Sequence, residues 1–184
     1  MKVGIVAGEA SGDLLGGLLI KALKEEFPAL EFVGIAGPKM QSAGAQSWHS
    51  MEKLAVRGYV EVLKSLREIL AIRRNVRDRM LRERPALFIG IDAPDFNFGL
   101  ERALKRAGIP TAHYVSPSIW AWRGERINKI KQSVDHMLTV FPFEPEIYRK
   151  VGMAATFVGH PSADVIPQTP QRANARLQLR LKPN

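Results

Sequence analysis

The chain has 184 residues, 46% of them hydrophobic and 24% charged, with no cysteine, a formal charge of +9 and a pI near 10.1. That composition excludes disulfides and thiolate metal sites, and no stretch approaches the ~18 consecutive apolar residues of a membrane span. The length suits one domain, Met1-Lys2 runs straight into an apolar segment with no signal peptide, and the basic balance points to an anionic partner: nucleic acid, an anionic membrane surface or a phosphorylated substrate.

Val3 to Ala7 reads as a buried strand that breaks into Gly8-Glu9-Ala10-Ser11-Gly12-Asp13 and then into leucines at helical spacing. Strand, loop and helix in that order place the loop where open α/β sheets bind ligands, so Glu9, Ser11 and Asp13 are candidate binding residues. Ser11 or Asp13 could equally be the N-cap of the helix. Glu31 to Ile35 is the expected second strand, Met40 to Ala45 a short helix and Ser47 to His49 an edge strand.

Leu54 to Arg84 carries the longest helical pattern, broken near its start by Gly58. Val62, Leu66 and Ile69 form one apolar stripe, with Val60, Leu63 and Leu70 beside it. From Arg57 to Arg84 there are nine Arg/Lys against four Asp/Glu, which accounts for +5 of the +9. Such a basic amphipathic helix fits an anionic membrane surface, although an ordinary helix with one face on the sheet has the same periodicity.

Leu87 to Ile91 is the clearest strand, and it delivers Asp92, Asp95 and Asn97 at its carboxyl end, beside the opening loop. Asp92, first out of the strand, is the candidate general base; Asp95 or Asn97 could cap a helix expected over Phe98 to Ala107. Thr111 to Val115 is a further strand, leaving through Ser116 and a loop holding Trp120, Trp122 and Arg123, an amphipathic surface suited to a sugar or an acyl chain, although the two tryptophans could equally plug the core, with at least one of them expected there. A basic helix over Gly124 to Ser133, a strand at His136 to Val140, a short helix at Glu146 to Lys150 and a strand at Ala155 to Val158 follow. The last strand exits at Gly159-His160-Pro161, so His160 could line the crevice. The alternation predicts a Rossmann-like, mostly parallel sheet with helices on both faces.

Gly8, Gly12 and Gly16 match neither the dinucleotide fingerprint nor a P-loop, and the four histidines lack metal-site spacing, so neither a cofactor nor a metal is expected. His113 and His136 lie within strands and are expected in the core. No nucleic-acid motif accompanies the charge, and nucleic acid is not the expected partner.

Four segments, Gly8 to Asp13, Gly90 to Asn97, His113 to Arg123 and Gly159 to Pro161, together resemble the lipid-A-disaccharide synthases. That resemblance implies an inverting GT-B glycosyltransferase. It would join UDP-2,3-diacylglucosamine to 2,3-diacylglucosamine 1-phosphate, giving a β-1,6 disaccharide 1-phosphate and UDP without a metal. It places the base at Asp92 and substrate contacts at Glu9, Ser11, Asp13, Asn97, Ser116, Trp122, Arg123 and His160. It also turns Val60, Val62, Leu63, Leu66, Ile69 and Leu70 into an expected docking face for the cytoplasmic side of the bacterial inner membrane.

On the same resemblance, residues 1–160 form the acceptor-side domain, while 161–184 form a linker and the start of a nucleotide-binding domain not present here. A chain of this length is expected to turn over little by itself. A homodimer stays open, and a non-catalytic lipid- or anion-binding module of the same fold is the alternative.

Overall fold

Val3 to Ala7 is apolar without alternation, the pattern of a parallel strand covered on both faces, and it forms the centre of the sheet as β1 (Lys2–Ala7). The computed structural model describes residues 1–54, 59–122 and 124–182; the side chains of residues 59–64, 122 and 165 also lie outside that description. Among the described residues, β1 is joined by β2 (Glu31–Ile35), β3 (Ala45–His49), β4 (Leu87–Ile91), β5 (Thr111–Tyr114), β6 (His136–Thr139) and β7 (Ala154–Phe157). All six pairings are parallel, in the order β3-β2-β1-β4-β5-β6-β7. The expected Rossmann-like sheet is therefore present.

The strands' two faces are covered by different helices. Gly4 and Phe88 are paired across β1 and β4 and look toward α3 (Tyr59–Glu83): a Cβ on Gly4 would fall 2.8 Å from Met80 Sδ. Ile91 looks the other way, toward α1 (Ala10–Glu26), where a Cβ on Gly16 would fall 2.8 Å from Ile91 Cδ1. Beside α1 lies the short α2 (Pro38–Ser42); beside α3 lie α4 (Pro94–Arg106) and then α6 (Ile127–Ser133). The stripe that seats α3 on the sheet is Ile72, Val76 and Met80, all buried, at the spacing of one helix face. A left-handed Arg84 followed by Pro85 ends it.

Several boundaries differ from expectation. The helix after β4 begins at Pro94, four residues earlier than Phe98, because proline suits the first helical turn, where its missing N–H costs nothing. Neither Asp95 nor Asn97 caps it; both lie in its first turn, and the N-cap position is Ala93. The tryptophan loop contains a single turn of helix, α5 (Ile119–Trp122), and α7 (Glu144–Arg149) connects β6 to β7. The break expected at Gly58 falls outside the described residues. The core divides into a large cluster around β1, β2 and β4 and a smaller one of Ile119, Ile130, Val134, Met137, Tyr148 and Met153. After β7 come α8 (Ser162–Val165) and α9 (Arg172–Gln178), the latter with no buried residue.

Candidate active site

The chain moves outward from β1 to β2 and β3, then returns to place β4 on the other side of β1. That reversal creates a crevice at the carboxyl ends of β1 and β4, where Ala7 and Ile91 are paired. Gly8 leaves β1 directly against the loop leaving β4, since a Cβ on Gly8 would fall 2.6 Å from the Cβ of Ala93. Only glycine lets the two loops come that close.

Asp92 and Ala93 both adopt left-handed backbone, with φ of 49° and 44°. Two successive non-glycine residues there cost about 1–2 kcal/mol each, so the surroundings must hold them. Asp92 N–H donates to Tyr114 O at 2.9 Å, and the N–H groups of Phe96 and Asn97 donate to Ala93 O at 3.0 Å. The Asn97 side chain closes the loop from inside: its Nδ2 donates to Asp92 O at 2.8 Å and reaches Ile91 O at 3.4 Å and Val6 O at 3.5 Å. Asn97 is wholly buried and ties the ends of β1 and β4 together.

The Asp92 carboxyl is half-buried, and burial pushes its pKa up. The Ala93 backbone N–H pulls it back down, while the nearby charge of Glu9 raises it further. Glu9 in turn accepts a 2.6 Å hydrogen bond from Ser11 Oγ. Glu9, Ser11 and Asp92 thus meet at one crevice, with Asn97 buried beneath it. Two carboxylates there, one of them desolvated, make a site able to take a proton from a hydroxyl.

The remaining sequence candidates are placed elsewhere. Asp13 is buried, and its two carboxylate oxygens accept the backbone N–H groups of Lys39 and Met40 at 2.9 Å each. It fastens the start of α2, in space that Gly37 leaves open: a Cβ on Gly37 would fall 2.4 Å from Asp13 Cγ. The expectation that Ser11 or Asp13 caps α1 is overturned, because the N-cap position is Glu9 and no side chain bonds there. Ser116 is buried with its hydroxyl 2.7 Å from that of Tyr148. Burial pushes Tyr148 up to about 12, against the lowering effect of that bond.

His160 is exposed, its Nδ1 accepts the Ser162 N–H at 3.1 Å, and it follows β7. With β7 three strands from β4, that is about 14 Å by ordinary strand spacing. Arg123 and the side chain of Trp122 lie outside the described residues. On α3, Leu66 is exposed, Ile69 is partly buried against the core, and Leu70 lines a trough with Arg73 and Arg74. The side chains of Val60, Val62 and Leu63 are outside the description.

His113 lies in the core as expected, and two features escaped the sequence reading: its buried carboxylate partner, Glu101, and a cluster of exposed aromatic rings. The His113 side chain is wholly buried with Nδ1 2.7 Å from Glu101 Oε1, beneath the β4 exit. Glu101 was legible in principle: it shares a helical face with Asn97 and Leu104, so its carboxylate had to enter the core. Gly90 makes the room, since a Cβ there would fall 2.1 Å from Glu101 Oε1. Burial pushes Glu101 up while His113 opposes it. The second is the exposed aromatic cluster: Trp120 meets Phe143 edge-on at 5.2 Å, and Phe143 stacks on Phe141 at 5.7 Å.

The family model described as lipid-A-disaccharide synthetase matches residues 3–184. The chain is 63% identical over 179 residues to the lipid-A-disaccharide synthase of Methylobacillus flagellatus, covering 97% of this chain and 47% of that one. It is 58% identical over 181 residues to the synthase of Chromobacterium violaceum, covering 98% and 47%. It therefore spans about half the length of the curated relatives it matches. A crystal structure of Anabaena HepE in complex with UDP and glucose superposes with a TM-score of 0.52 at 10% identity. That likeness covers 97% of this chain and 50% of that one, and it bears on the fold alone.

Proposed function

Because the chain belongs to the lipid-A-disaccharide synthetase family, we propose that it forms the acceptor side of a glycosyltransferase in which Asp92 is the base. The reaction joins UDP-2,3-diacylglucosamine to 2,3-diacylglucosamine 1-phosphate. Asp92 takes the proton of the acceptor 6-hydroxyl as that oxygen bonds to the donor's anomeric carbon. The bond from this carbon to the diphosphate breaks, UDP departs with the electron pair, and the anomeric centre inverts to give the β-1,6 disaccharide 1-phosphate.

The observation that carries this reading is the placing of Asp92. It is the first residue out of β4 at the reversal of strand order, held in costly backbone geometry, with its proton affinity raised by burial. A strained, desolvated carboxylate is a poor choice for stability and a good one for proton transfer. Family membership supports a nucleotide sugar as donor. Substrates with acyl chains come from a bilayer, and exposed Leu66 on the basic helix α3 supports peripheral docking on the cytoplasmic side of the inner membrane.

The test is Asp92→Asn in a full-length polypeptide carrying this segment, assayed for transfer of labelled diacylglucosamine. The expected loss in kcat is about 10²–10⁴-fold with little change in KM, the range of a positioned general base. A loss below tenfold would remove Asp92 from that role. The base acts ionised, so wild-type kcat/KM should fall as pH drops through a value above the ordinary carboxyl pKa of 3.8.

A further inference from the structure

Beneath the crevice, α4 turns two polar side chains, one helical turn apart, toward Gly90 of β4. Asn97 holds the Asp92 carbonyl, with Nδ2 2.8 Å from Asp92 O, and Glu101 meets His113 of β5, Oε1 to Nδ1 at 2.7 Å. Gly90 comes two residues before Asp92 and is paired with His113 across the sheet. A Cβ on it would fall 2.1 Å from Glu101 Oε1 and 3.1 Å from Asn97 Cγ, so the bare backbone makes the room that the pair fills. Phe98 closes the space, its ring 4.7 Å from that of His113, and neither partner has any exposed side-chain surface.

Stability gives no reason for this pair. A buried ion pair generally adds nothing over apolar side chains of the same volume. This one also leaves polar atoms unmatched: of five buried side-chain atoms without a hydrogen-bond partner among the described residues, three are Asn97 Oδ1, Glu101 Oε2 and His113 Nε2. Its charge state follows from where it sits. A carboxylate alone would be an uncompensated buried charge close to the carboxylates of Asp92 and Glu9, so the pair is neutral overall. The 2.7 Å contact has the length of a charge-assisted N–H···O bond, which puts two protons on the imidazole and leaves Glu101 ionised. Burial pushes the Glu101 pKa up, and the charge of His113 and its hydrogen bond oppose that rise.

The positive end of the pair is the end that Asp92 feels. Burial is the largest influence on the Asp92 carboxyl and raises its pKa; the Ala93 N–H lowers it, Glu9 raises it and the charge of His113 lowers it. Tyr114 meets Asp92 through its backbone carbonyl, and Asp95 is turned outward to Arg126. Against His113 itself, β6 brings Met137 and α4 brings Phe98, neither of them ionisable.

We propose that His113 and Glu101 are positioning residues for the transfer: the imidazolium of His113, fixed by Glu101, is the standing positive charge beneath Asp92 that offsets Glu9. It keeps the base ionised when the acceptor hydroxyl arrives. The assignment rests on Asp92 being that base, and the experiment separates the two.

The first arm uses the chain itself with isotope-labelled aspartate, its Asp92 carboxyl followed by NMR and assigned by the loss of its signal in Asp92→Asn. The Asp92 titration midpoint should rise in His113→Gln, in Glu101→Gln and in the double variant, which keeps an amide pair in the same space should a single variant not fold. Glu101→Gln discriminates most sharply. Loss of a nearby carboxylate would by itself lower the midpoint, whereas loss of the partner that keeps His113 charged raises it. In a full-length polypeptide carrying this segment, the acid limb of kcat/KM should move to higher pH along with the midpoint. The plateau of kcat should fall by less than the ~100-fold that marks loss of a general base. A midpoint unmoved in all three variants, with only the unfolding temperature changed, would overturn the proposal and leave the pair a packing device. A lower midpoint in Glu101→Gln would overturn it as well. A midpoint that rises while the acid limb stays in place would overturn the part in transfer, and Asp92→Asn losing less than about tenfold would trace that failure to the base.

Discussion

Asp92 carries two penalties at once, a left-handed backbone and a desolvated carboxyl, and both are predictions about stability as well as chemistry. Its folded pKa is raised above the ordinary 3.8, so between those two values the folded chain holds a proton that the unfolded chain has released. Stability contributed by the protonated form is then lost as pH rises through that window. Asp92→Asn cannot ionise and escapes the loss. The variant should therefore be more stable than wild type at neutral pH and lose that advantage below 3.8, as read from urea midpoints at the two ends of the range. The position of this residue was legible in the sequence because a buried strand followed by aspartate leaves the side chain no other place to go. Asn97 was read as a crevice residue or a cap; the structure shows it turned inward to hold the loop, a distinction that depends on helix phase, and the phase was set by an earlier start at Pro94.

At the scale of elements, α2 is fastened by a residue from a different helix. Its five residues are too few to be stable alone, and the charged oxygens of Asp13 satisfy two of its otherwise unpaired N–H groups. Asp13→Ala should cost about 1–3 kcal/mol, visible as a fall in thermal midpoint of about 2–4 °C per kcal/mol. An unchanged midpoint together with lost sugar transfer would instead make Asp13 a substrate contact. Sequence order hid this role because the partners, Lys39 and Met40, are 26 and 27 residues away. The long helix was legible in existence and amphipathicity but less so in rotation. The stripe that seats it is Ile72, Val76 and Met80, toward its carboxyl end, and Ile69 joins them at the core, so that Leu66 is the better probe of its outer surface.

For the whole molecule, strand order decides which residues meet. The fold class followed from alternating strands and helices, yet only the order β3-β2-β1-β4-β5-β6-β7 puts Glu9 beside Asp92 and sends His160 to the far end of the sheet. Apolar periodicity finds strands but does not rank them in space, which is why His160 could be read as a crevice residue even though the loops leaving β1 and β4 were rightly expected side by side. The exposed surface is equally a property of the assembled chain. No helix among the described residues is long and apolar enough to cross a membrane. Leu66→Asp should weaken flotation with both neutral and anionic vesicles several-fold without changing the unfolding midpoint. Retention of wild-type binding would remove α3 from the docking face.

The pairing of β1 with β4 also sets a timetable for the newborn protein. Val3 finds its partner Leu87 only after the intervening chain has been made, which at about 5–20 residues per second takes roughly 4–17 s. Throughout that interval one edge of β1 has no neighbour, and its unpaired backbone N–H and C=O groups are open to the wrong strand. Folding of the crevice is thereby tied to the ribosome's pace: a pause in translation just ahead of Leu87 should raise aggregation, while the same pause after Tyr114 should do little.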